Sequence, residues 1–204
     1  MIPDKTIGRL SLYRRLLNRL CGEGVSNVYS HQLAAMAGVT AAQVRRDIMS
    51  IGCSGNPNRG YELVELIESI GKSLDDPGGQ RAALVGVGNL GRAILTYFSG
   101  RRPKLSIVAA FDNDPRKCGR VTQGCRCYGV DRLPDMVSEL DITIGVIAAP
   151  ANDAQRVADQ LVHAGVTGIL NFAPVRIRVP STVYVEDMDM TTALEKVAYF
   201  ARKK

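Results

Sequence analysis

A glycine-rich junction, Gly86-Val-Gly-Asn-Leu-Gly91, constrains this 204-residue chain more than any other segment. An apolar run at 82–87 leads into it, helical spacing runs from about Asn89 to Phe98, and Asp112 ends the next apolar run at 105–111. Each glycine of a G-x-G-x-x-G has its own role in that setting. The first allows a tight turn, the second lets a pyrophosphate approach the backbone, and the third lets helix and strand pack closely. The N–H groups opening the helix at Asn89 and Leu90 would meet the phosphates. Asp112 is placed to accept hydrogen bonds from the adenosine ribose hydroxyls, and its charge disfavours a 2′-phosphate. NAD(H) is therefore expected over NADP(H), a preference softened by Arg116 and Lys117 nearby. Gly86, Val87, Gly88, Asn89, Leu90, Gly91, Asp112 and Asn113 are the predicted contacts. The alternative is a nucleotide-type domain with an empty or coenzyme A-type site.

Strand and helix patterns continue to alternate beyond this point. Runs at 142–148, 167–170 and 182–185 read as strands, and those at 152–164 and 191–202 as helices. Such βαβ alternation implies an α/β fold with a parallel sheet covered on both faces. Ala149 and Pro150 follow one strand, and Asn171, Phe172 and Ala173 close another. Both groups fall on the carboxyl edge, where ligands of doubly wound sheets collect. Phe172 suits either packing on a nicotinamide ring or anchoring its own loop.

The first third of the chain has a different character. Residues 1–61 hold eight Lys/Arg against three Asp/Glu, whereas residues 62–204 hold eighteen against seventeen. A basic segment suits a nucleic-acid module, because neutralising phosphates releases counterions. Leu10, Tyr13, Leu16, Leu17 and Leu20 line one helical face. A second helix is expected from an N-cap at Ser30 through Met36. Gly38 supplies the turn, and a third helix opens at Thr40, with Thr40 and Gln43 at capping-box spacing. Val39, Val44 and Ile48 would point inward, leaving Thr40, Gln43, Arg45 and Arg46 outward to read bases or hold phosphates of double-stranded DNA. The turn-rich stretch 52–60, with Arg59, would form a wing. A helical hairpin used only for packing is the plainer alternative.

The loop 73–80, Ser-Leu-Asp-Asp-Pro-Gly-Gly-Gln, separates the two regimes. The expected organisation is 1–76, a winged helix-turn-helix domain; 77–188, a Rossmann NAD(H)-binding domain; and 189–204, a dimerisation helix. Five cysteines, an odd number without C-x-x-C spacing, point to neither a disulfide framework nor a metal site. No apolar run reaches membrane-spanning length and the N-terminus lacks a signal-peptide core, so a cytoplasmic location with no membrane partner is expected. His163 falls late in a helix and Tyr97 has no lysine at short helical spacing. Catalysis is therefore not expected, and the nicotinamide would be read, not used. A small NAD-dependent oxidoreductase with an accessory DNA module, and an NAD-stabilised oligomerisation adaptor, are the competing readings.

Taken together, Ser11-Leu-Tyr-Arg-Arg-Leu-Leu17, Val39-Thr-Ala-Ala-Gln-Val-Arg-Arg-Asp-Ile48, Gly86–Gly91, Asn171-Phe-Ala-Pro-Val175 and Val185–Asp189 resemble the Rex family of redox-sensing repressors over essentially the whole chain. The resemblance implies a homodimer in which each final helix crosses to its partner, and operator binding that NAD⁺ permits and NADH releases. It further implies that Tyr97 alternates position with redox state and that Asp189 meets it across the dimer. Arg15 would pair with that aspartate. Two departures bear on DNA contact: Ile51-Gly52 stands where the family usually has Phe-Gly, and Asn56-Pro-Asn-Arg59 replaces a Lys-Arg-Gly wing. Met190 stands where an aromatic residue can occur.

Overall fold

The computed structural model describes residues 2–100 and 104–202. The chain divides at Pro77/Gly78 into two compact units.

In the first unit, helix α1 (Asp4–Gly22) is followed by β1 (Asn27–Val28), α2 (Ser30–Ala37), α3 (Ala41–Met49), β2 (Tyr61–Glu62) and α4 (Leu63–Leu74). Leu10, Tyr13 and Leu17, spaced three and four residues apart on α1, are fully buried against Leu33 of α2, Val44 and Ile48 of α3, and Leu63 and Ile70 of α4. Burying each such side chain contributes roughly 1.5–3 kcal/mol, enough for helices this short to form only as a packed set. Gly38 ends α2 at φ +68°, the left-handed conformation that lets α3 leave at a sharp angle. Strands β1 and β2 pair antiparallel, with Val28 opposite Tyr61.

Two local expectations are corrected. Helix α2 is capped from Tyr29, whose backbone N–H donates to the Gln32 side chain at 2.8 Å, and Ser30 is already its first residue. At α3 only half of the expected box forms. The Thr40 hydroxyl accepts from the Gln43 N–H at 3.1 Å, but the Gln43 amide turns instead to the Asp47 carboxylate, a charged and therefore stronger acceptor.

The second unit is built from β3 (Gln80–Val85), α5 (Asn89–Phe98), β4 (Leu105–Asp112), β5 (Val121–Thr122), β6 (Cys125–Gly129), a 3₁₀ turn, α6 (Leu133–Glu139), β7 (Ile142–Ile147), α7 (Ala151–His163), β8 (Gly168–Asn171), β9 (Tyr184–Asp187) and α8 (Met190–Ala201). Among the described residues its seven strands lie in the order β5-β6-β4-β3-β7-β8-β9. All neighbours are parallel except β5 and β6, an antiparallel pair that the expectation of a purely parallel sheet did not include. Apolar clusters cover both faces, one against α6 and α7 and one against α5. Strand β3 lies between β4 and β7, so the chain leaves it in opposite directions and opens a crevice at the carboxyl ends.

Helix α8 differs from the rest, since none of its described residues is buried. Leu194, Val197 and Phe200 are each about two-thirds exposed, at 69%, 65% and 66%.

Candidate nucleotide cleft and nucleic-acid interface

The Gly86–Gly91 loop sits where β3 turns into α5, and the structure gives each glycine a distinct constraint. Gly86 has φ +101°, and a Cβ there would lie 2.6 Å from the Ala148 carbonyl oxygen. Gly91 lies so close to the Gly86 carbonyl that a Cβ would overlap it. Gly88 meets no described protein atom within 4 Å in that direction, so the second glycine faces open space. The first and third glycines are therefore required by the fold, and the second leaves room for a ligand.

Asp112, at the end of β4, closes one side of the loop. Its Oδ2 accepts from the Val87 N–H and from Lys117 Nζ, both at 2.8 Å, and its Oδ1 accepts from the Asp114 N–H at 2.9 Å. Burial opposes ionisation, but the Lys117 bond and the two backbone donors outweigh it and hold the carboxyl below its ordinary value. An anion at this position is what recognition of ribose hydroxyls requires. Next door, Asp114 is drawn down to about 2 by hydrogen bonding to the Arg116 guanidinium.

A cleft of about 650 Å³ opens along this edge of the sheet. Of the residues predicted from sequence, Gly86, Gly88, Leu90, Asp112, Asn113, Ala149, Pro150 and Phe172 line it. Val87, Gly91 and Ala173 are buried in support of the loops. Asn89 is exposed at the start of α5, where its Oδ1 accepts from Arg92. Asn171 is fully buried, and its amide group is used inside the protein. Its Nδ2 donates to the Val175 carbonyl and to Asp187, each at 2.8 Å, and its Oδ1 accepts from the Ala173 N–H. It shapes the loop carrying Phe172 and Pro174. Sequence reading missed Asp114, Val130, Asp153, Val157 and Pro174 as lining residues. The Asp-Asn-Asp-Pro turn after β4 could have indicated the first of these. Val130 had no local signal, because topology alone brings it there.

In the first unit, Thr40, which caps α3, and Arg45 and Arg46 on that helix are exposed. Arg45 donates to the Ser30 hydroxyl at 3.1 Å, and Arg46 to the Gln43 Oε1 at 3.0 Å. Gln43, predicted to point freely outward, is half-buried and engaged at both ends of its amide. The turn-rich stretch folds back on itself through paired Asn56 and Gly60 backbone bonds of 2.8 Å, with the Tyr29 hydroxyl donating to the Asn58 carbonyl. Arg59 is exposed on that short hairpin, which has the form of a wing.

The remaining singled-out residues are scattered. Arg15 is exposed on α1, and Tyr97 is half-exposed on α5 in edge contact with Phe98. Asp189 caps α8 by accepting from the Thr192 N–H at 3.0 Å. Cys125 and Cys127 are buried, which pushes both thiols up to about 11. Among the described residues no cluster of His, Cys, Asp or Glu is arranged to hold a metal, and no helix is long and apolar enough to cross a membrane.

A helix-turn-helix unit with a basic outer helix, joined to a doubly wound unit with a glycine-loop cleft, defines a DNA-binding regulator with a nucleotide-type ligand domain. Residues 1–48 match the family described as putative DNA-binding protein N-terminus, and residues 79–175 match the CoA binding domain family. The chain is 42% identical over 199 residues to the redox-sensing transcriptional repressor Rex of Syntrophobacter fumaroxidans, covering 97% of this chain and 95% of that one. It is 41% identical to the Rex of Carboxydothermus hydrogenoformans, covering 99% and 97%. Among solved structures it is similar to RSP, a Rex-family repressor, in complex with NAD⁺ and operator DNA. That likeness has a TM-score of 0.91 and 32% identity over 100% of this chain and 94% of that one. RSP in complex with NADH gives 0.88 and 31%, over 100% and 95%. The chain belongs to the Rex family of redox-sensing transcriptional repressors.

Proposed function

We propose that this protein represses transcription by binding operator DNA through residues 1–76, and that the NADH/NAD⁺ ratio, read by the cleft in residues 77–188, sets its grip. NAD⁺ permits binding and NADH releases it. The observation that carries this reading is the geometry around Gly88 and Asp112: a backbone position open to a ligand beside a partly buried, hydrogen-bonded carboxylate. The likeness to a repressor solved with both NAD⁺ and operator DNA supports it over a coenzyme A site.

Gly86, Gly88 and the start of α5 would hold the pyrophosphate, Asp112 the adenosine ribose, and Ala149, Pro150 and Phe172 the nicotinamide end. When bound, the nicotinamide supplies a ring that is cationic and planar if oxidised, neutral and puckered if reduced. An apolar wall penalises the cation unless a carboxylate compensates. Asp189 is the coupling candidate, since a cap on an exposed helix can exchange Thr192 for another partner at small cost. The ligand shifts the equilibrium only by its differential affinity for the two arrangements.

The exposed stripe on α8 supports a homodimer built on residues 189–204, which a monomer would leave in water. A cytoplasmic site of action follows from DNA binding. The oxidoreductase alternative finds less support. His163 ends α7 with its Nδ1 against the Asp159 carbonyl, and the carboxylates Asp112, Asp114 and Asp153 are each paired with a cation. A gel-shift titration on the promoter fragment tests the reading. NAD⁺ should leave the complex intact and NADH should dissolve it; equal binding with either dinucleotide or with none would reject it.

A further inference from the structure

The outer face of α3 carries one side chain to which a purely electrostatic grip on DNA gives no task. Ala42, Arg45, Arg46 and Met49 are exposed and recur at three- and four-residue steps, so they form one stripe along the helix. The sole carboxylate of α3, Asp47, is buried against Arg9, which leaves the charge on the stripe entirely positive. Both guanidinium groups are tethered, Arg45 to the Ser30 hydroxyl and Arg46 to the Gln43 Oε1. Met49 completes the stripe at its C-terminal end. At 66% it is the most exposed large apolar side chain among the described residues of the first unit.

A single exposed apolar residue is ordinary on a protein surface. Met49 is set apart by its company, one helical turn from two arginines on a face that suits a polyanion. Phosphate oxygens offer a thioether no favourable contact. An α-helix fits the major groove of B-form DNA, and of the groups that base pairs present there only the thymine 5-methyl is apolar. Methionine is unbranched and polarisable, so it can settle against a methyl without fixing the helix in one pose.

We propose that Met49 is a specificity-determining residue of the operator interface, its side chain packing on a thymine methyl in the major groove and so favouring a T·A pair at that position. This rests on the DNA-reading assignment above and adds an apolar element to it. Arg45 and Arg46 supply grip and hydrogen bonds, and Met49 supplies a contact that only thymine returns.

The test is fluorescence anisotropy on duplexes of the promoter fragment in which each thymine is replaced singly by uracil. That replacement removes the methyl and keeps every hydrogen-bonding group. Wild-type protein should lose about fourfold in affinity at one position, the worth of one buried methyl. Met49→Ala should bind the unmodified duplex several-fold more weakly and be indifferent to that same replacement. Met49→Leu, which keeps an apolar side chain, should retain the discrimination. Comparing duplexes within each variant cancels any general loss of binding. Equal binding of wild type to every uracil duplex, or an undiminished loss in Met49→Ala, would overturn the role of Met49 and leave the DNA-reading unit standing. Failure of wild type to bind the unmodified fragment would remove that assignment and this inference together.

Discussion

The Arg9 guanidinium meets the Asp47 carboxylate through two hydrogen bonds, Nε to Oδ2 at 2.6 Å and Nη2 to Oδ1 at 2.8 Å. They tie the first helix of the DNA-reading unit to the helix that presents Arg45 and Arg46. Asp47 also accepts from the Tyr13 hydroxyl at 2.9 Å and from the Gln43 amide at 2.8 Å, and is itself buried. Asp47→Ala leaves four donor groups, on three side chains, facing a space that carries no carboxylate. It should destabilise the unit by about 2–3 kcal/mol, at the lower end of a buried-pair loss because Arg9 still reaches water. Urea unfolding measures this.

The same carboxylate sets an acid limit. Burial works against its ionisation, but the bonds from Arg9, Gln43 and Tyr13 prevail and hold it below the ordinary value of 3.8. A depressed folded pKa means that the stabilisation is complete above that ordinary value and lost as pH falls through the folded one. The urea midpoint of the wild type should therefore drop on acidification below about pH 4, and Asp47→Asn should flatten the descent. A variant as acid-sensitive as wild type would assign the limit to other carboxylates.

Gly88→Ala and Gly91→Ala should behave differently although three residues apart. A methyl at Gly88 touches no described protein atom, so stability should stay within about 0.5 kcal/mol while NADH affinity falls roughly tenfold or more, because the methyl occupies the ligand's approach. At Gly91 it overlaps the Gly86 carbonyl, so the loop must shift, at a cost of about 2 kcal/mol or more. Thermal melts with and without NADH separate the two. Equal loss of stability would show that Gly88 is structural.

Arg46→Ala should lower operator affinity and reduce the slope of log K against log salt by about 0.9 for each phosphate that the arginine neutralises. Its side chain is exposed and bonded only to Gln43 Oε1 among the described residues, so the fold should be unaffected. Fluorescence anisotropy at several salt concentrations reads both quantities, and Arg46 lies off the interface should neither change.

Leu194→Glu places a charge in the exposed apolar stripe of α8. Sedimentation should show the proposed dimer dissociating at roughly tenfold or more higher concentration than wild type. An unchanged association constant would move the interface elsewhere.

Asp189→Ala removes the α8 cap, which should cost about 1 kcal/mol of helix stability. NADH should still bind, but its power to release operator should weaken toward the lower end of the usual coupling range of roughly 5–150-fold. Undiminished release in a gel shift would exclude Asp189 from the linkage.

Much of this was legible in the chain itself, because the relevant signals are local. The glycine spacing at 86–91, the left-handed Gly38, the helical register of Leu10, Tyr13 and Leu17, and the acidic end of β4 each depend on steric rules within a few residues. Those rules were sufficient to name most of the residues along the glycine loop and to place Arg45 and Arg46, though not Gln43, on the exposed face of α3.

What tertiary structure alone decided is where polar groups find partners. Asp47 recruits Gln43 away from its capping box and Asn171 turns inward to staple its loop, since a buried carboxylate or amide must be satisfied by whatever the fold brings within reach. Lys117 folds back on Asp112, and Val130 reaches the cleft from a segment with no sequence signal, because strand order sets that neighbourhood. Periodicity determines which face of an element is buried; the identity of the partner across that face is a property of the assembled sheet and helices.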